Sequence, residues 1–181
     1  MIIKSGEHPD LEKMWMEKAE KQLARFHPNR LKEWVNGRVA LTMAFKRMNI
    51  DITPKDEFLG YQKIKGQEKY TFSISHTPGW AGAIVVAGNV QPGLDIESLD
   101  REIDEKILER FIHPYDGKFE PLVLWTAKEA AYKSLPDTVQ QKFWLQSIQI
   151  SEGKFSGDGF HGVWSRIDHP ELMIIEASRA L

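Results

Sequence analysis

Apolar and polar residues repeat along the first half of the chain with two different periods. Between Asn29 and Met48 the apolar residues recur every three to four positions, which predicts an amphipathic helix. They are Leu31, Trp34, Val35, Leu41, Phe45 and Met48. The charged segment from Asp10 to Arg25 predicts a preceding helix that is capped by Asp10. The alternating segment YTFSISH, the turn TPG and the apolar segment WAGAIVVAG together predict an antiparallel hairpin.

The second half repeats this order of helices followed by strands. Residues 49–69 and the segment NVQPG are breaks, and LDIE is a short strand between the halves. Helices are predicted over residues 100–111 and from Pro121 to Leu135. Three strands follow, in FWLQSIQI, GFHGVWSRI and ELMIIEAS, with SEGKFSGD and DHP as breaks. This order predicts an α+β fold with two similar halves that meet near residue 90.

Composition and charge narrow the class of protein. The 181 residues suffice for one domain or two small halves, and 24 basic against 26 acidic residues leave a net charge of −2. Near neutrality gives no indication of a nucleic-acid partner. The chain has no cysteine, which excludes disulfides, thiolate metal sites and cysteine nucleophiles. Residues 1–15 lack a secretory pattern and the longest apolar stretch, Trp80 to Gly88, is too short for a membrane span, so we expect a soluble cytoplasmic protein.

Two carboxylates stand on one face of the short strand GLDIE. Side chains alternate across a strand, so Asp95 and Glu97 point the same way, about 7 Å apart. Paired hard oxygen ligands suit Mg²⁺, which usually takes one or two carboxylates and completes its shell with water and substrate phosphates. An exposed strand edge protected by charge is the alternative interpretation at this point.

The helix motif WTAKEAAYK places Glu129 and Lys133 four residues apart, on the face that also carries Trp125. This spacing is typical of an ordinary surface ion pair, with Lys128 on a solvated flank, and equally of a face that holds a ligand. Ser75 and His76 end a strand and could donate hydrogen bonds to a phosphate. A structural histidine is the alternative, and the chain has no HExxH zinc motif.

Arg38 interrupts the apolar stripe of the second helix. A guanidinium that faces inward requires an anion, either a protein carboxylate or a ligand phosphate. The alternative is an arginine whose stem is buried and whose charged group reaches solvent.

Taken in order, four fragments resemble the 4′-phosphopantetheinyl transferase superfamily: GRVAL, FSISHT, GLDIE and WTAKEAAYK. The family pattern is an Arg-containing helix, a Ser-His at a strand end, a G-(I/L/V)-D-x-E strand and a W-x-x-K-E-x-x-x-K helix. The last two form a specific ordered pair, and the resemblance spans residues 30 to 135. It implies the two-lobed α+β fold of the surfactin-synthetase-activating type, a single-chain pseudo-dimer whose similar lobes each pack helices on a small antiparallel sheet. Residues 1–90 would form the lobe that contacts nucleotide phosphates, and residues 91–181 the lobe with the metal-binding carboxylates.

The resemblance also implies an enzyme and its substrates. Such an enzyme transfers the 4′-phosphopantetheine group of coenzyme A to a serine of an apo acyl or peptidyl carrier protein, with Mg²⁺, and releases 3′,5′-ADP. The implied metal ligands are Asp95, Glu97 and Glu129. Glu129 and Lys133 would be catalytic, with Lys133 on the phosphate under attack and the serine proton passing to Glu129 or to a water held by the carboxylates. The implied contacts to coenzyme A are Arg38, Lys63, Ser75, His76 and Lys128.

The sequence departs from the family pattern upstream of Ser75. Many relatives have Gly-Lys-Pro there, whereas this chain reads GYQKIKGQEKY, so Lys63 takes the place of that lysine with Lys65 as the competitor. Arg30 is either a further phosphate contact or part of a helix start. The chain is short for this type, and the spacing from Asp95 to Glu129 is tight. The segment between them, a lid or carrier-binding segment in relatives, is therefore expected to be reduced.

Two other functions stay open from the sequence. The first is a non-catalytic module that binds coenzyme A or a carrier, although the three carboxylates and Lys133 are all present. The second is a metal-dependent nuclease, which is disfavoured because the spacing of Glu129 and Lys133 is helical and the chain is not basic. We expect a monomer, with no nucleic-acid or membrane partner. The motifs do not distinguish carriers of fatty acid, polyketide or peptide synthesis.

Overall fold

The computed structural model describes residues 1–23, 25–59 and 62–180 and shows an α+β protein with small antiparallel sheets. Residues 24, 60, 61 and 181 lie outside the described residues. Residue 24 falls in the predicted helix over 10–25, residues 60 and 61 fall in the predicted break over 49–69, and residue 181 falls in the predicted second half over 91–181.

The two predicted N-terminal helices are confirmed, after a short strand β1 (Ile2–Lys4). Helix α1 covers Pro9–Gln22 and helix α2 covers Pro28–Lys46. The predicted cap at Asp10 is wrong, because α1 begins one residue earlier and His8 precedes it without a side-chain hydrogen bond. Proline suits the first helical position, where its missing N–H would have had no partner in the helix.

The predicted hairpin is confirmed and forms most of a three-stranded sheet. After two short paired strands, β2 (Phe58–Leu59) and β3 (Lys63–Ile64), strand β4 covers Tyr70–Thr77 and strand β5 covers Trp80–Ala87. β4 and β5 pair in antiparallel register, and β1 pairs with the other side of β5. Helix α2 packs on this sheet and α1 packs on α2, and apolar side chains of both helices and the sheet form the core of the first half.

Strand β6 covers Val90–Ser98 and is longer than the sequence predicted. The segment NVQPG was expected to be a break, yet Pro92 and Gly93 lie inside the strand. Proline is tolerated because β6 is at the edge of its sheet, where one side of the backbone has no ladder partner. The turn before β6 is made instead by Gly88, whose φ of 86° favours glycine.

The two predicted helices of the second half are present. Helix α3 covers Glu105–Phe111 and is shorter than predicted, because its N-cap is Asp104, whose carboxylate accepts from the N–H of Lys106. Helix α4 covers Pro121–Lys133, and the short helix α5 covers Asp137–Gln140. No helix among the described residues is both long and apolar enough to cross a membrane.

The last strands build a five-stranded antiparallel sheet in the order β6-β10-β9-β8-β7. Its remaining strands are β7 (Gln149–Ser151), β8 (Lys154–Gly157), β9 (Phe160–Ile167) and β10 (Leu172–Ala180). The predicted strand in FWLQSIQI is largely wrong, since residues 145–147 form a 3₁₀ turn and only the last two residues of the segment pair in β7. The predicted break SEGKFSGD contains β8, because Gly153 makes a tight hairpin turn there.

The two sheets meet along β4 and β6, which belong to different sheets. Side-chain hydroxyls of β4 bond to the backbone of β6 at three places. The pairs are the Thr71 hydroxyl to Val90 O at 2.6 Å, Leu94 N–H to Ser73 Oγ at 3.0 Å and Ile96 N–H to Ser75 Oγ at 3.2 Å. Hydroxyl side chains thus replace a backbone ladder between the two halves.

A candidate active site between strand β6 and helix α4

Helix α4 packs directly on β6 at Gly93. A Cβ atom at this position would lie 1.8 Å from the carbonyl oxygen of Ala130 and 2.8 Å from the nitrogen of Ser134. Only glycine permits so close an approach of two backbones. The C-terminal half of α4 therefore lies over the strand positions that follow Gly93, and these carry Asp95 and Glu97.

Asp95 is buried and joins three elements. Its Oδ1 accepts from the Lys133 ammonium at 2.6 Å and from the Ser75 hydroxyl at 2.8 Å, and Lys133 also donates to Ser75 Oγ at 3.0 Å. The other oxygen, Oδ2, is buried without a hydrogen-bond partner among the described residues. A buried carboxylate oxygen without a donor is costly, and it marks a position where a further cation or donor fits.

Glu97 is buried beside the start of α4. Its Oε1 accepts from the indole N–H of Trp125 at 2.9 Å and also from the Arg101 guanidinium. The guanidinium carbon of Arg101 lies 5.0 Å from the centre of the Trp125 ring, so the indole contacts both members of the ion pair. Trp125 thereby fixes the position of the Glu97 carboxylate.

Glu129 completes a group of three carboxylates. Trp125, Glu129 and Lys133 follow one another at intervals of four residues and share the helix face that looks onto β6. Burial raises the pKa of Glu129, and the nearby charge of Asp95 raises it further, whereas Lys133 lowers it. The carboxyl group is therefore easier to protonate than an exposed glutamate.

The residues of this group have the chemistry of a Mg²⁺ site, although their side chains are arranged around protein cations. Among residues 1–23, 25–59 and 62–180, no three His, Cys, Asp or Glu side chains are arranged so that they could hold a metal ion. Lys133 and Arg101 instead balance Asp95 and Glu97. The donors are all carboxylate oxygens, the kind that Mg²⁺ prefers, and Asp95 Oδ2 has a free lone pair. The group fits a divalent cation in its chemistry.

A cavity of about 380 Å³ opens on the other face of β4, between that strand and α2. Its walls are mostly aromatic and apolar, with a few charged side chains at the rim. Its lining residues include Trp34, Arg38, Phe58, Gln62, Ser73 and His76. An apolar cavity with a few convergent polar groups is the usual form of a small-molecule site.

Arg38 lies in this cavity between two aromatic rings. Its guanidinium carbon is 4.4 Å from the ring centre of Phe58 and 4.9 Å from that of Trp34. Burial lowers the pKa of Arg38 to about 10, and its Nε is buried without a hydrogen-bond partner. Within the described part of the chain, no carboxylate forms an ion pair with it. Among the described residues, aromatic faces rather than an ion-paired carboxylate surround this cation.

His76 and Gln62 connect the cavity to the carboxylates. Ser75 and His76 are neighbours on β4 and face opposite sides, so one reaches Asp95 and the other lines the cavity. Partial burial lowers the pKa of His76, with a contribution from the Lys133 charge. Gln62 also lines the cavity and donates to the Lys133 carbonyl at 2.7 Å. The two sites are therefore contiguous.

Lys128 lies outside both sites in this structure, and its predicted contact with coenzyme A stays a prediction that this position does not support. The side chain is fully buried on the opposite face of α4, with its ammonium 2.9 Å from the Asp116 carboxylate. It also donates to the carbonyls of Leu145 and Ile148. The solvent-exposed position that the sequence allowed for Lys128 is wrong. Lys128 directly precedes Glu129 in α4, and successive residues of a helix point in different directions, so Lys128 points into the core.

Lys63 and its competitor Lys65 lie away from the cavity walls. Both side chains are exposed, and Lys65 pairs with Glu57 at 2.7 Å. The lining residue of this segment is Gln62, which the sequence analysis did not single out. Arg30 lies at the cavity rim and is 3.9 Å from Glu33.

Three further residues of the site were missed from the sequence. Arg101 had the spacing of an i, i+4 partner of Glu97, but residues 97–101 were not predicted as a helix, so the spacing had no meaning there. Trp125 was placed only on a helix face, because no sequence pattern indicates that its indole N–H bonds to Glu97. Gln62 was hidden in a segment without periodicity.

A comparison with known protein families finds a match that overlaps this site. The family model of the 4′-phosphopantetheinyl transferase superfamily matches residues 91–166, which include β6, α4 and all three carboxylates. The match covers less than half of the chain, and it indicates 4′-phosphopantetheinyl transfer in general. No curated protein matches the chain.

Proposed function

We propose that this protein transfers the 4′-phosphopantetheine group of coenzyme A to a serine of an apo acyl or peptidyl carrier protein. Mg²⁺ is required, and 3′,5′-ADP is the second product. The observation that carries this proposal is the convergence of Asp95, Glu97, Glu129 and Lys133 beside a cavity whose arginine, Arg38, forms no ion pair with the residues that the structure describes. The match to the superfamily over residues 91–166 supports it.

The three carboxylates would hold the metal, and Asp95 Oδ2 is an oxygen that accepts from no donor in the described part of the chain. When bound, Mg²⁺ neutralises charge on the diphosphate of coenzyme A and polarises the phosphorus that is attacked. Phosphoryl transfer asks little covalent chemistry of the protein, so the remaining work is positioning and charge stabilisation.

In the transfer, a bond forms between the serine oxygen and the phosphorus that carries pantetheine. The bond from that phosphorus to the bridging oxygen breaks, and 3′,5′-ADP leaves with the electron pair. Lys133 would contact the phosphate under attack. The serine proton goes to Glu129, whose raised pKa suits a general base, or to a water held by the carboxylates.

The cavity beside α2 would receive the nucleotide part of coenzyme A. Trp34 and Phe58 offer flat apolar surfaces, and Arg38 and His76 offer donors to phosphate. Ser75 is bonded to Asp95 and Lys133, so its role is to orient the carboxylate group as much as to meet a phosphate. Lys63 stays in the proposed nucleotide site, although its exposed side chain would have to reach the nucleotide from outside the cavity.

The proposal extends to the whole molecule. Residues 1–90 and 91–181 would be the two lobes of a monomeric pseudo-dimer of the surfactin-synthetase-activating type. The separate sheets and separate apolar cores of the two halves support this division. The enzyme would act in the cytoplasm.

The direct test is transfer to a carrier. The protein is incubated with coenzyme A, Mg²⁺ and an apo carrier protein, and the carrier is weighed by mass spectrometry. We expect the mass to rise by one phosphopantetheine group, and EDTA to prevent the rise. Asp95→Asn should slow transfer on the order of a hundredfold, because it removes charge from the metal site. Asp100→Asn, an exposed change nearby, is the matched control.

This transfer assay, together with a parallel incubation of the protein with DNA or RNA, separates the alternative functions. A protein that binds coenzyme A but leaves every apo carrier unchanged is a non-catalytic module. Cleavage of DNA or RNA without transfer would instead identify a nuclease. Asp95→Asn is checked by thermal melting, since Lys133 loses its charged partner in this variant.

A further inference from the structure

Arg101 occupies an oxygen that the proposed metal site needs. The guanidinium donates to Oε1 of Glu97, the same atom that accepts from the Trp125 N–H. Arg101 lies in the connection between β6 and α3, outside the motifs that define the site. Its other contact is the face of the Trp125 ring, at 5.0 Å. A divalent cation on Glu97 would compete with this guanidinium.

The two cations of the site differ in how firmly they are held. Lys133 is largely buried and donates to both Asp95 and Ser75. The Arg101 side chain is 37% exposed, against 10% for its partner Glu97. An exposed guanidinium can exchange its carboxylate for solvent at little cost, because partly exposed ion pairs contribute little stability. Arg101 is therefore the cation that can leave.

The charge of the group explains why a cation is held there at all. Asp95, Glu97 and Glu129 bring three acidic side chains close together, and the cations beside them, Lys133 and Arg101, offset this local negative charge. Removing Arg101 without a replacement would leave the group more negative and more attractive to a divalent cation.

We propose that Arg101 is an exchangeable counter-cation, which neutralises Glu97 in the empty site and is displaced when a divalent cation binds. This inference rests on the proposed function, because it assumes that the carboxylates hold the cation. It makes Arg101 a positioning residue that keeps Glu97 in place against Trp125 until the metal arrives. The cost of displacing it weakens cation binding to the free protein.

Mn²⁺ binding to the free protein tests the proposal without any measurement of turnover. Bound and free Mn²⁺ are distinguished by electron paramagnetic resonance, for wild type, Arg101→Gln, Arg101→Lys and the control Arg110→Gln. Arg110 is an exposed arginine at the end of α3, so its change removes the same charge outside the site. Each titration is repeated with saturating coenzyme A, and thermal melts check that each variant is folded.

We expect Arg101→Gln to bind Mn²⁺ about fivefold more tightly than wild type when coenzyme A is absent. Arg110→Gln should stay within about twofold of wild type, and Arg101→Lys, which keeps the charge, should lie nearer wild type than Arg101→Gln. Equal Mn²⁺ affinities of Arg101→Gln, Arg110→Gln and wild type would overturn the inference while the proposed function stands. A shift in Arg101→Lys as large as that in Arg101→Gln would also overturn it. If wild type binds no Mn²⁺ even with coenzyme A, the metal site of the proposed function fails, and the inference fails with it.

Discussion

Arg38 lies on an otherwise apolar helix face, and two aromatic rings rather than a carboxylate surround its guanidinium. Aromatic faces attract a cation but do not replace the hydrogen bonds that it loses on leaving water. Burial accordingly lowers the pKa of Arg38 to about 10, although the side chain stays charged at neutral pH. A residue held in this state is ready to bind an anion.

Replacing Arg38 by leucine should separate its role in binding from its role in stability. Arg38→Leu fits the apolar stripe, so the melting temperature should stay the same or rise. Coenzyme A should bind more weakly by roughly 1.5–3 kcal/mol, the value of a charge-assisted hydrogen bond. Thermal melts with and without coenzyme A measure both effects.

The control for this variant is Arg47→Leu, an exposed change just after the same helix. It should leave the affinity for coenzyme A unchanged. Repeating the melts with dephospho-coenzyme A, which lacks the 3′-phosphate, shows whether Arg38 contacts that phosphate. If it does, Arg38→Leu should weaken the binding of dephospho-coenzyme A less than the binding of coenzyme A. An Arg38→Leu protein that unfolds but binds coenzyme A normally would make Arg38 a structural residue.

His76 should make the affinity for coenzyme A depend on pH. Partial burial lowers its pKa below the ordinary value, so the imidazole is neutral near pH 7 in the free protein. A bound phosphate favours the protonated ring, and the complex therefore holds more protons than the free protein. The association constant should fall as the pH rises from 6.5 to 8.

Calorimetric titrations across this pH range, in wild type and His76→Gln, measure the effect. The phosphate of the ligand also titrates near pH 6, and the difference between the two proteins removes that contribution. His161→Gln, a change at an exposed position of β9, is the control and should follow wild type. Identical pH dependence in all three proteins would exclude a phosphate contact at His76.

At the scale of elements, one face of helix α4 carries residues of the candidate site and another face packs into the core. Trp125, Glu129 and Lys133 look onto β6, while Lys128 points into the core and pairs with Asp116. Asp116 also accepts from the N–H groups of His113 and Ile150. The buried pair thus ties α4 to the loop before it and to the start of β7.

Replacing Lys128 by methionine should destabilise the protein without a direct effect on coenzyme A. The change leaves Asp116 as a buried charge without its cation, which costs about 3–5 kcal/mol. Urea unfolding measures the loss. The double variant Lys128→Met/Asp116→Asn should recover part of it, because the unpaired charge is gone while an acceptor oxygen remains.

Lys118→Met, at an exposed lysine of the same loop, is the matched control. It should change the free energy of unfolding by less than about 0.5 kcal/mol. The opposite pattern in Lys128→Met, normal stability with weak binding of coenzyme A, would restore the nucleotide contact that the sequence suggested.

At the scale of the whole molecule, the site lies where two sheets join through side-chain hydroxyls. Ser73 and Ser75 accept from backbone N–H groups of β6, and Thr71 donates to it. Because β4 also lines the cavity, the alignment of β4 and β6 sets the distance between the nucleotide and the carboxylates. The junction of the two halves is thus part of the site.

Ser73→Ala should weaken this junction without touching the carboxylates. The N–H of Leu94 loses its buried acceptor, which costs about 1–3 kcal/mol in the free energy of unfolding. Urea unfolding measures this cost, and Ser98→Ala, at the less buried end of β6, serves as the control. Equal stability of the two variants would mean that the hydroxyl of Ser73 does not join the sheets.

The sequence by itself determined the elements whose periodicity was strong. Helices α2 and α4 and the hairpin β4–β5 were predictable because their apolar positions repeat over two turns or more, or alternate between turn signals. The resemblance of the ordered motifs to the 4′-phosphopantetheinyl transferase superfamily implied that Asp95, Glu97, Glu129 and Lys133 belong to one site. The element boundary at Pro92 was missed because an edge strand tolerates proline, and the one in FWLQSIQI was missed because residues 145–147 form a 3₁₀ turn.

Only the tertiary structure decided which charged side chains face the cleft and what each one pairs with. Lys128 and Lys133 stand in the same helical motif, yet one meets Asp116 in the core and the other meets Asp95. Arg101 pairs with Glu97, whereas Arg38 lies between aromatic rings and pairs with no carboxylate in the described ranges. Local pattern cannot supply these pairings, because an ion pair depends on the distance between residues that only the packing of β6, α4 and α2 brings together.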